Sequence, residues 1–262
     1  MAQTSAKKSN RVILLDEIRG FAIICMVVYH AMFQLKYTFG VDVPVFFESW
    51  FDVIRDIFAG MFIFISGCMC RFSRNNLKRG VQCFFLGMII TFVVPFFGQC
   101  IEFGILHMLG VSMMLYGLFG EGFERIPPLV GLIFFALLAA FTWNVSDIHR
   151  AWENGAIVVS SYGTVGLKGL FEWELPEAAY KAGALFPFGF INKSYGDYFP
   201  LLPWFFVFLG GSCFGAWAKD GSLPGAFYNS HFPWLAKVGR YTIWIYMIHL
   251  PVIYLIFSLI FR

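Results

Sequence analysis

The amino-acid sequence predicts an all-α polytopic membrane protein with about seven transmembrane helices. Of its 262 residues, 59% are hydrophobic and 13% are charged, whereas about a quarter of the residues in a soluble domain are charged. Apolar runs long enough to cross a hydrocarbon core of about 30 Å recur along the chain. Its 34 Phe and 26 Gly residues are typical of helices that pack closely in lipid.

The apolar runs define the predicted helices in chain order. The fifth run is at the lower limit for a spanning helix, and an eighth helix would be added if part of 155–171 inserted. We expect the whole chain, 1–262, to form one transmembrane domain. Its segment at about 144–198 should form an extracytoplasmic lid, because aromatic residues and glycines there argue against disorder. The seven runs lie at 20–38, 51–70, 79–98, 103–119, 128–143, 199–217 and 240–261.

The distribution of basic residues predicts the orientation of these helices. Lys and Arg precede the first run and follow the second, fourth and sixth, whereas the loops at 39–50 and 99–102 contain neither. Because cytoplasmic loops carry the excess of Lys and Arg, we expect the N-terminus in the cytoplasm. No small-residue cleavage site follows the first run, so the sequence predicts a retained helix and not a cleaved signal peptide.

Nucleic-acid binding and metal binding have no support in the sequence. The net charge of +3 comes from Lys and Arg residues that lie between apolar runs, and we find no nucleic-acid-binding motif. The six cysteines fall in or at the ends of apolar runs, without the spacing of a disulfide framework or a zinc site. We therefore expect no metal, and interpret the cysteines as small hydrophobic residues.

Ionisable residues inside the apolar runs mark the candidate site. His30 lies eleven residues beyond Arg19, which corresponds to roughly 16 Å along a helix and places its imidazole near the middle of the membrane. His249 reaches a similar depth on the last run. Because such groups usually face a partner or a water-filled cavity, we expect the two histidines to share a cavity. Histidine can also transfer a proton near neutral pH.

Further polar residues are predicted in the outer half of the membrane. The alternative to a functional role is that each is a paired structural residue, and this is the better interpretation for the ion pairs that Arg55 can form. The residues of this outer group are Asp52, Arg55, Asp56, Glu102, His107, Asp197 and Tyr198.

A second group of residues is basic and is predicted on the cytoplasmic side. These residues can act as topology determinants and contacts for anionic lipids, or can form a site for a polyphosphate. Walker and dinucleotide-binding glycine patterns are absent. The basic group comprises Arg19, Arg71, Arg74, Lys78 and Arg79.

Five sequence motifs together resemble the transmembrane acyltransferase superfamily. The strongest similarity is to bacterial proteins that resemble the catalytic domain of heparan-α-glucosaminide N-acetyltransferase, and a looser likeness extends to the acyltransferase-3 family. His30 matches the histidine that acyltransferase-3 proteins carry in their first helix, and Arg19 matches the arginine of their Arg-Gly pair. The motifs are LDEIRGFAIICMVVYH, MFIFISGCMCRFSRNNLKRG, IEFGILHMLG, DYFPLLPWFFVFLGG and IYMIHLPVIY.

The resemblance implies transfer of an acetyl group from cytoplasmic acetyl-CoA to an acceptor, a sugar of a glycan or glycolipid, across a bacterial inner membrane. It implies His30 as the general base, with His249 or Asp56 orienting it, and the basic group as the site for the CoA phosphates. Arg55, His107, Asp197 and Tyr198 become candidates for acceptor binding.

The chain departs from this pattern in one respect. The animal enzyme carries the histidine considered catalytic between its first two helices, and 31–50 contains none here. Specificity for glucosamine is therefore open. A small proton-coupled transporter using the same histidines, and a scaffold without activity, are the competing classes. A homodimer is also open.

Overall fold

The computed structural model describes residues 11–97, 101–143, 186–189 and 197–261, and within these ranges all regular structure is helical. Six of the helices are long and apolar enough to cross a membrane, which confirms the predicted all-α polytopic class. The predicted lid at about 144–198 and the extra helix in 155–171 lie largely outside the described residues. The α-helices are α1 (Ile13–Tyr37), α2 (Ser49–Cys70), α3 (Asn76–Val93), α4 (Ile105–Glu124), α5 (Pro128–Phe141), α6 (Leu201–Asp220), α7 (Pro233–Arg240) and α8 (Thr242–Ile260).

Helix α5 is the short member of the set. It has 14 residues, which at about 1.5 Å per residue extend roughly 21 Å and fall short of a hydrocarbon core of about 30 Å. This length confirms the prediction that the fifth apolar run is at the lower limit for a spanning helix. Helix α5 packs along α6.

Helix α2 packs against α6 by direct contact of their backbones. An ideal Cβ on Gly67 would lie 1.9 Å from the carbonyl oxygen of Phe208, and one on Gly211 would lie 1.9 Å from that of Phe64. Each glycine therefore receives the carbonyl of the other helix, a close approach that small residues permit in membrane proteins. This contact fixes the position of α2 relative to α6.

Helix α7 was not predicted from the sequence, and it docks on the start of α1. The buried Glu17 carboxylate accepts hydrogen bonds through Oε1 from the Ser230 hydroxyl at 3.0 Å and from the backbone N–H groups of His231 and Phe232 at 2.8 Å each. The Phe232 N–H belongs to the N-cap of α7, whose donors have no partner within the helix, and a carboxylate at a helix N-terminus is favourable. Glu17 thus ties the beginning of the described chain to the segment that leads into α8.

Candidate active site

His30 on α1 and His249 on α8 lie side by side in the helix bundle. Their ring centroids are 5.1 Å apart and their planes are inclined by 55°, and the two residues are only 7% and 4% exposed. The sequence predicted this meeting from the depth of the two residues in the first and last apolar runs. At this distance the two rings are in contact, so the pair is a single structural unit.

The orientation of the His249 ring defines which of its nitrogens carries a proton. Its Nδ1 lies 2.7 Å from the carbonyl oxygen of Tyr246, and because a carbonyl only accepts, Nδ1 must be the protonated donor in the neutral ring. Nε2 is then an acceptor, and it has no hydrogen-bond partner among the described residues. His249 therefore offers a buried lone pair next to His30.

A cavity of about 60 Å³ extends from the His30 side of the pair. This volume exceeds what one water molecule needs several times over, so the cavity can hold water or a small reacting group. His30 lines it, and its Nδ1 has no hydrogen-bond partner in the described part of the chain, whereas His249 is next to His30 but is not among the lining residues. Polar or aromatic lining is contributed by Tyr29, His30, Arg55, Phe58, Phe62, Asp197, Phe199 and Tyr246.

Gln34 holds α1 against α8 at the level of the histidines. Its side-chain Nε2 donates to the carbonyl oxygen of Leu250 at 3.2 Å, and the residue is completely buried. Pro251 interrupts the hydrogen bonding of α8 at this point, since proline has no N–H and displaces the carbonyl four residues earlier. Gln34 was not predicted as a site residue, because the predicted site residues were chosen mainly as ionisable groups and the Gln34 side chain is a neutral amide.

The predicted ion pairs of Arg55 are present on α2. Its guanidinium lies 2.8 Å from the Asp56 carboxylate and 3.3 Å from that of Asp52, and a further hydrogen bond joins it to the Tyr29 hydroxyl. Arg55 lines the cavity, but neither aspartate does. The carboxylate of Asp56 is bound to Arg55, and no described contact joins it to His30, so its predicted role in orienting the base has no contact that supports it.

Asp197 lies on the loop before α6, with its carboxylate at the cavity. The loop is anchored by the backbone N–H of Phe199, which donates to the carbonyl oxygen of Phe103 at 2.9 Å. Asp197 Oδ2 has no hydrogen-bond partner among the described residues. Burial raises the pKa of Asp197 to about 6, although the positive charge of Arg55 opposes the shift. Beside it, the Tyr198 hydroxyl donates to the carbonyl oxygen of Phe186 and lies outside the cavity lining.

His107 lies apart from this cavity, between α3 and α4. Its ring packs against Phe84 and Phe103 at centroid distances of 5.3 and 5.7 Å, and Gly87 leaves the space that the ring fills. Its Nε2 is 3.5 Å from the Thr91 hydroxyl. The structure therefore places this predicted acceptor-binding residue in a helix interface, where the nearest groups are aromatic.

The basic group divides into one buried and several accessible members. Arg71 is buried, donates from Nε to the carbonyl oxygen of Ser212 at 3.0 Å and lies 3.6 Å from the Glu124 carboxylate. Its Nη2 has no hydrogen-bond partner among the described residues. The other members are the exposed Arg74, Lys78 and Arg79, together with Arg19, which is half-buried and lies 3.9 Å from Asp16.

The site holds no set of side chains that would bind a metal ion in the part of the chain that the structure describes. No group of three or more His, Cys, Asp or Glu residues is suitably placed there. The chemistry that this arrangement offers is proton transfer by the paired imidazoles beside a small cavity that is mostly apolar and carries a few polar groups.

Comparison with known proteins identifies the family. The family model described as the catalytic domain of heparan-alpha-glucosaminide N-acetyltransferase matches residues 11–251, which include both histidines, the cavity lining and the basic group. Searches of curated proteins and of solved structures found no match. Together with the six apolar helices, the match means that this integral, multi-pass membrane protein belongs to the heparan-alpha-glucosaminide N-acetyltransferase catalytic-domain family of acetyltransferases.

Proposed function

We propose that the protein transfers an acetyl group from acetyl-CoA, bound at its cytoplasmic face, to an amine or hydroxyl of a sugar acceptor that reaches the cavity from the other side of the membrane. The observation that carries this proposal is the buried pair of His30 and His249, of which His30 lines a cavity and has a ring nitrogen without a hydrogen-bond partner among the described residues. The family supports the reaction class. We place the protein in a bacterial inner membrane.

In this mechanism His30 is the general base. It removes a proton from the acceptor as the acceptor attacks the thioester carbonyl, and then returns this proton to the departing CoA thiolate. His249 positions the ring of His30 and offers its Nε2 lone pair when His30 becomes positively charged. A second route remains open, in which His30 is first acetylated and then transfers the acetyl group to the acceptor.

The donor would be held at the cytoplasmic end of the bundle by basic side chains that are available to solvent. Arg74, Lys78 and Arg79 are exposed at the start of α3 and just before it, and Arg and Lys match phosphate oxygens. Arg71 is less suited to direct contact, because it is buried and bound to Ser212 and Glu124. From Arg19 to His30 the distance along α1 is roughly 16 Å, which the extended arm of the donor must cover.

The proposal is tested with protein purified in detergent and reconstituted in vesicles. Isotopically labelled acetyl-CoA is added on one face and glucosamine on the other, and mass spectrometry follows the acetylated product and free CoA. His30→Ala should abolish transfer, whereas Val28→Ala, an exposed position on the same helix, should not. Transfer at the wild-type rate by His30→Ala would refute the proposal.

The same preparation separates the alternatives. A protein mass increased by one acetyl group after incubation with donor alone would establish the two-step route. Uptake of solute coupled to protons, without release of CoA, would instead make the protein a transporter.

A further inference from the structure

The outer part of the cavity has an excess of negative charge. Arg55 is the cation at its wall, and its guanidinium is shared between Asp52 and Asp56 at 3.3 and 2.8 Å. Two carboxylates therefore already balance this one positive charge. Asp197 is a third carboxylate, and among the described residues it forms no ion pair and leaves Oδ2 without a hydrogen bond.

Asp197 also lies where it can contact an acceptor bound next to His30. It lines the same cavity as His30 and lies on a loop that Phe199 anchors to Phe103. The positive charge of Arg55 favours the ionised form of Asp197, but Arg55 is already paired with Asp52 and Asp56, and among the described residues no other cation faces Asp197. The titratable and charged groups around it are Cys25, Tyr29 and His30 from α1, Arg55 from α2 with its partners Asp52 and Asp56, and Tyr246 from α8.

An amine acceptor must lose two protons during the reaction, and His30 can take only one of them. A primary amine is largely an ammonium ion at neutral pH and has no lone pair for attack. One proton must leave before the carbon–nitrogen bond forms, and a second must leave as that bond forms. A hydroxyl acceptor, in contrast, loses only one proton, which His30 can take.

We infer that Asp197 binds the ammonium group of an amine acceptor and takes its first proton, so that this residue selects amines over hydroxyls. The Asp197 carboxylate accepts one proton from the ammonium ion and passes it to water at the outer side. The free amine then attacks the thioester carbon, His30 takes the second proton, the carbon–sulfur bond breaks, and His30 returns that proton to the CoA thiolate. The sum is an ammonium ion and acetyl-CoA giving an amide, CoA and one released proton. This inference rests on the proposed function.

Two structural features support an ammonium ion at this place. The Asp197 carboxylate, which has no ion pair among the described residues, provides the counter-charge that a buried cation requires. Tyr29, Phe58 and Phe199 line the same cavity, and aromatic rings attract cations. Burial raises the pKa of Asp197 to about 6, so the carboxylate remains mainly ionised at pH 7 and yet is a stronger base than an ordinary aspartate.

The test compares Asp197→Asn with the wild type as a function of pH, with glucosamine as the acceptor. Near pH 6.5 the variant should have kcat/KM lower by about 100-fold, the usual size of a lost proton-transfer step. Near pH 9 the amine is already largely neutral, so the ratio of variant to wild type should approach one. The matched control is Asp52→Asn, which removes another carboxylate beside Arg55 that does not line the cavity and should give a ratio independent of pH.

A binding measurement complements the kinetics. Glucosamine, but not glucose, should raise the unfolding temperature of the wild type, and Asp197→Asn should lose this difference because the ammonium ion loses its partner. A ratio that does not change with pH, or equal stabilisation of the variant by both sugars, would overturn the inference. Absence of acetylation by the wild type at every pH would instead refute the proposed function on which it rests.

Discussion

The contact between α2 and α6 allows a quantitative prediction for Gly67→Ala. The new methyl group would begin 1.9 Å from the carbonyl oxygen of Phe208, and ordinary van der Waals contact begins at 3.4 Å. The helices must therefore separate locally by about 1.5 Å, the difference between these distances, and a gap of even 0.5–1 Å forfeits a quarter to a half of the dispersion energy of each contact. We expect a loss of unfolding free energy of about 3 kcal/mol, at the upper end of the usual cost of overpacking.

Thermal unfolding in detergent, followed by tryptophan fluorescence, measures this effect. At roughly 2–4 °C per kcal/mol for a chain of this size, Gly67→Ala should melt about 6–12 °C below the wild type. Gly122→Ala is the control, because among the described residues no atom beyond its own helical segment lies within 4 Å of the new methyl group and alanine favours a helix. A Gly67→Ala protein that melts with the wild type would refute the packing argument, whereas equal losses in both variants would trace the effect to the assay.

Three further perturbations test other contacts. Glu17→Ala leaves three donors at the start of α7 without their acceptor and should cost about 2–4 kcal/mol of unfolding free energy, with a smaller loss in Glu17→Gln; equal stability of Glu17→Ala and wild type would contradict this. Because burial raises the pKa of Asp197 to about 6, the folded state holds its proton more tightly than the unfolded state. The unfolding free energy should fall by up to about 3 kcal/mol between pH 4 and 6 and level off above, and Asp197→Asn should lack this slope. Gln34→Leu removes the hydrogen bond that holds α8 and should lower kcat about tenfold through misplacement of His249, with KM for acetyl-CoA unchanged; an unaltered kcat would exclude this positioning role.

The helices and the meeting of the two histidines could be predicted from the sequence for the same physical reason. In lipid, an ionisable group inside an apolar run is costly, so its depth along the run and its need for a partner restrict where it can lie. The ion pair of Arg55 with Asp52 could be predicted likewise, because residues three positions apart share a helix face, and Asp56 is the next residue in the chain. The catalytic roles of these residues stay predictions.

Other features could not be predicted, since they depend on contacts between distant parts of the chain. Arg71 directly follows α2, where a long side chain can turn toward water or toward the bundle. Its buried position depends on contacts with the carbonyl oxygen of Ser212 and the carboxylate of Glu124. Helix α7 has eight residues, too few to show a clear period, and depends on Glu17 from the other end of the chain. The burial of His107 could be predicted from its position in an apolar run, but its packing against the rings of Phe84 and Phe103 could not.

The location of His30 and His249 on the first and last helices has a consequence during synthesis. Because His249 lies 219 residues after His30 in the chain, a chain still emerging from the ribosome presents His30 before its neighbour has been made. The proposed proton chemistry of the pair therefore cannot begin until α8 has been made and has packed against α1, a contact to which the Gln34 side chain contributes.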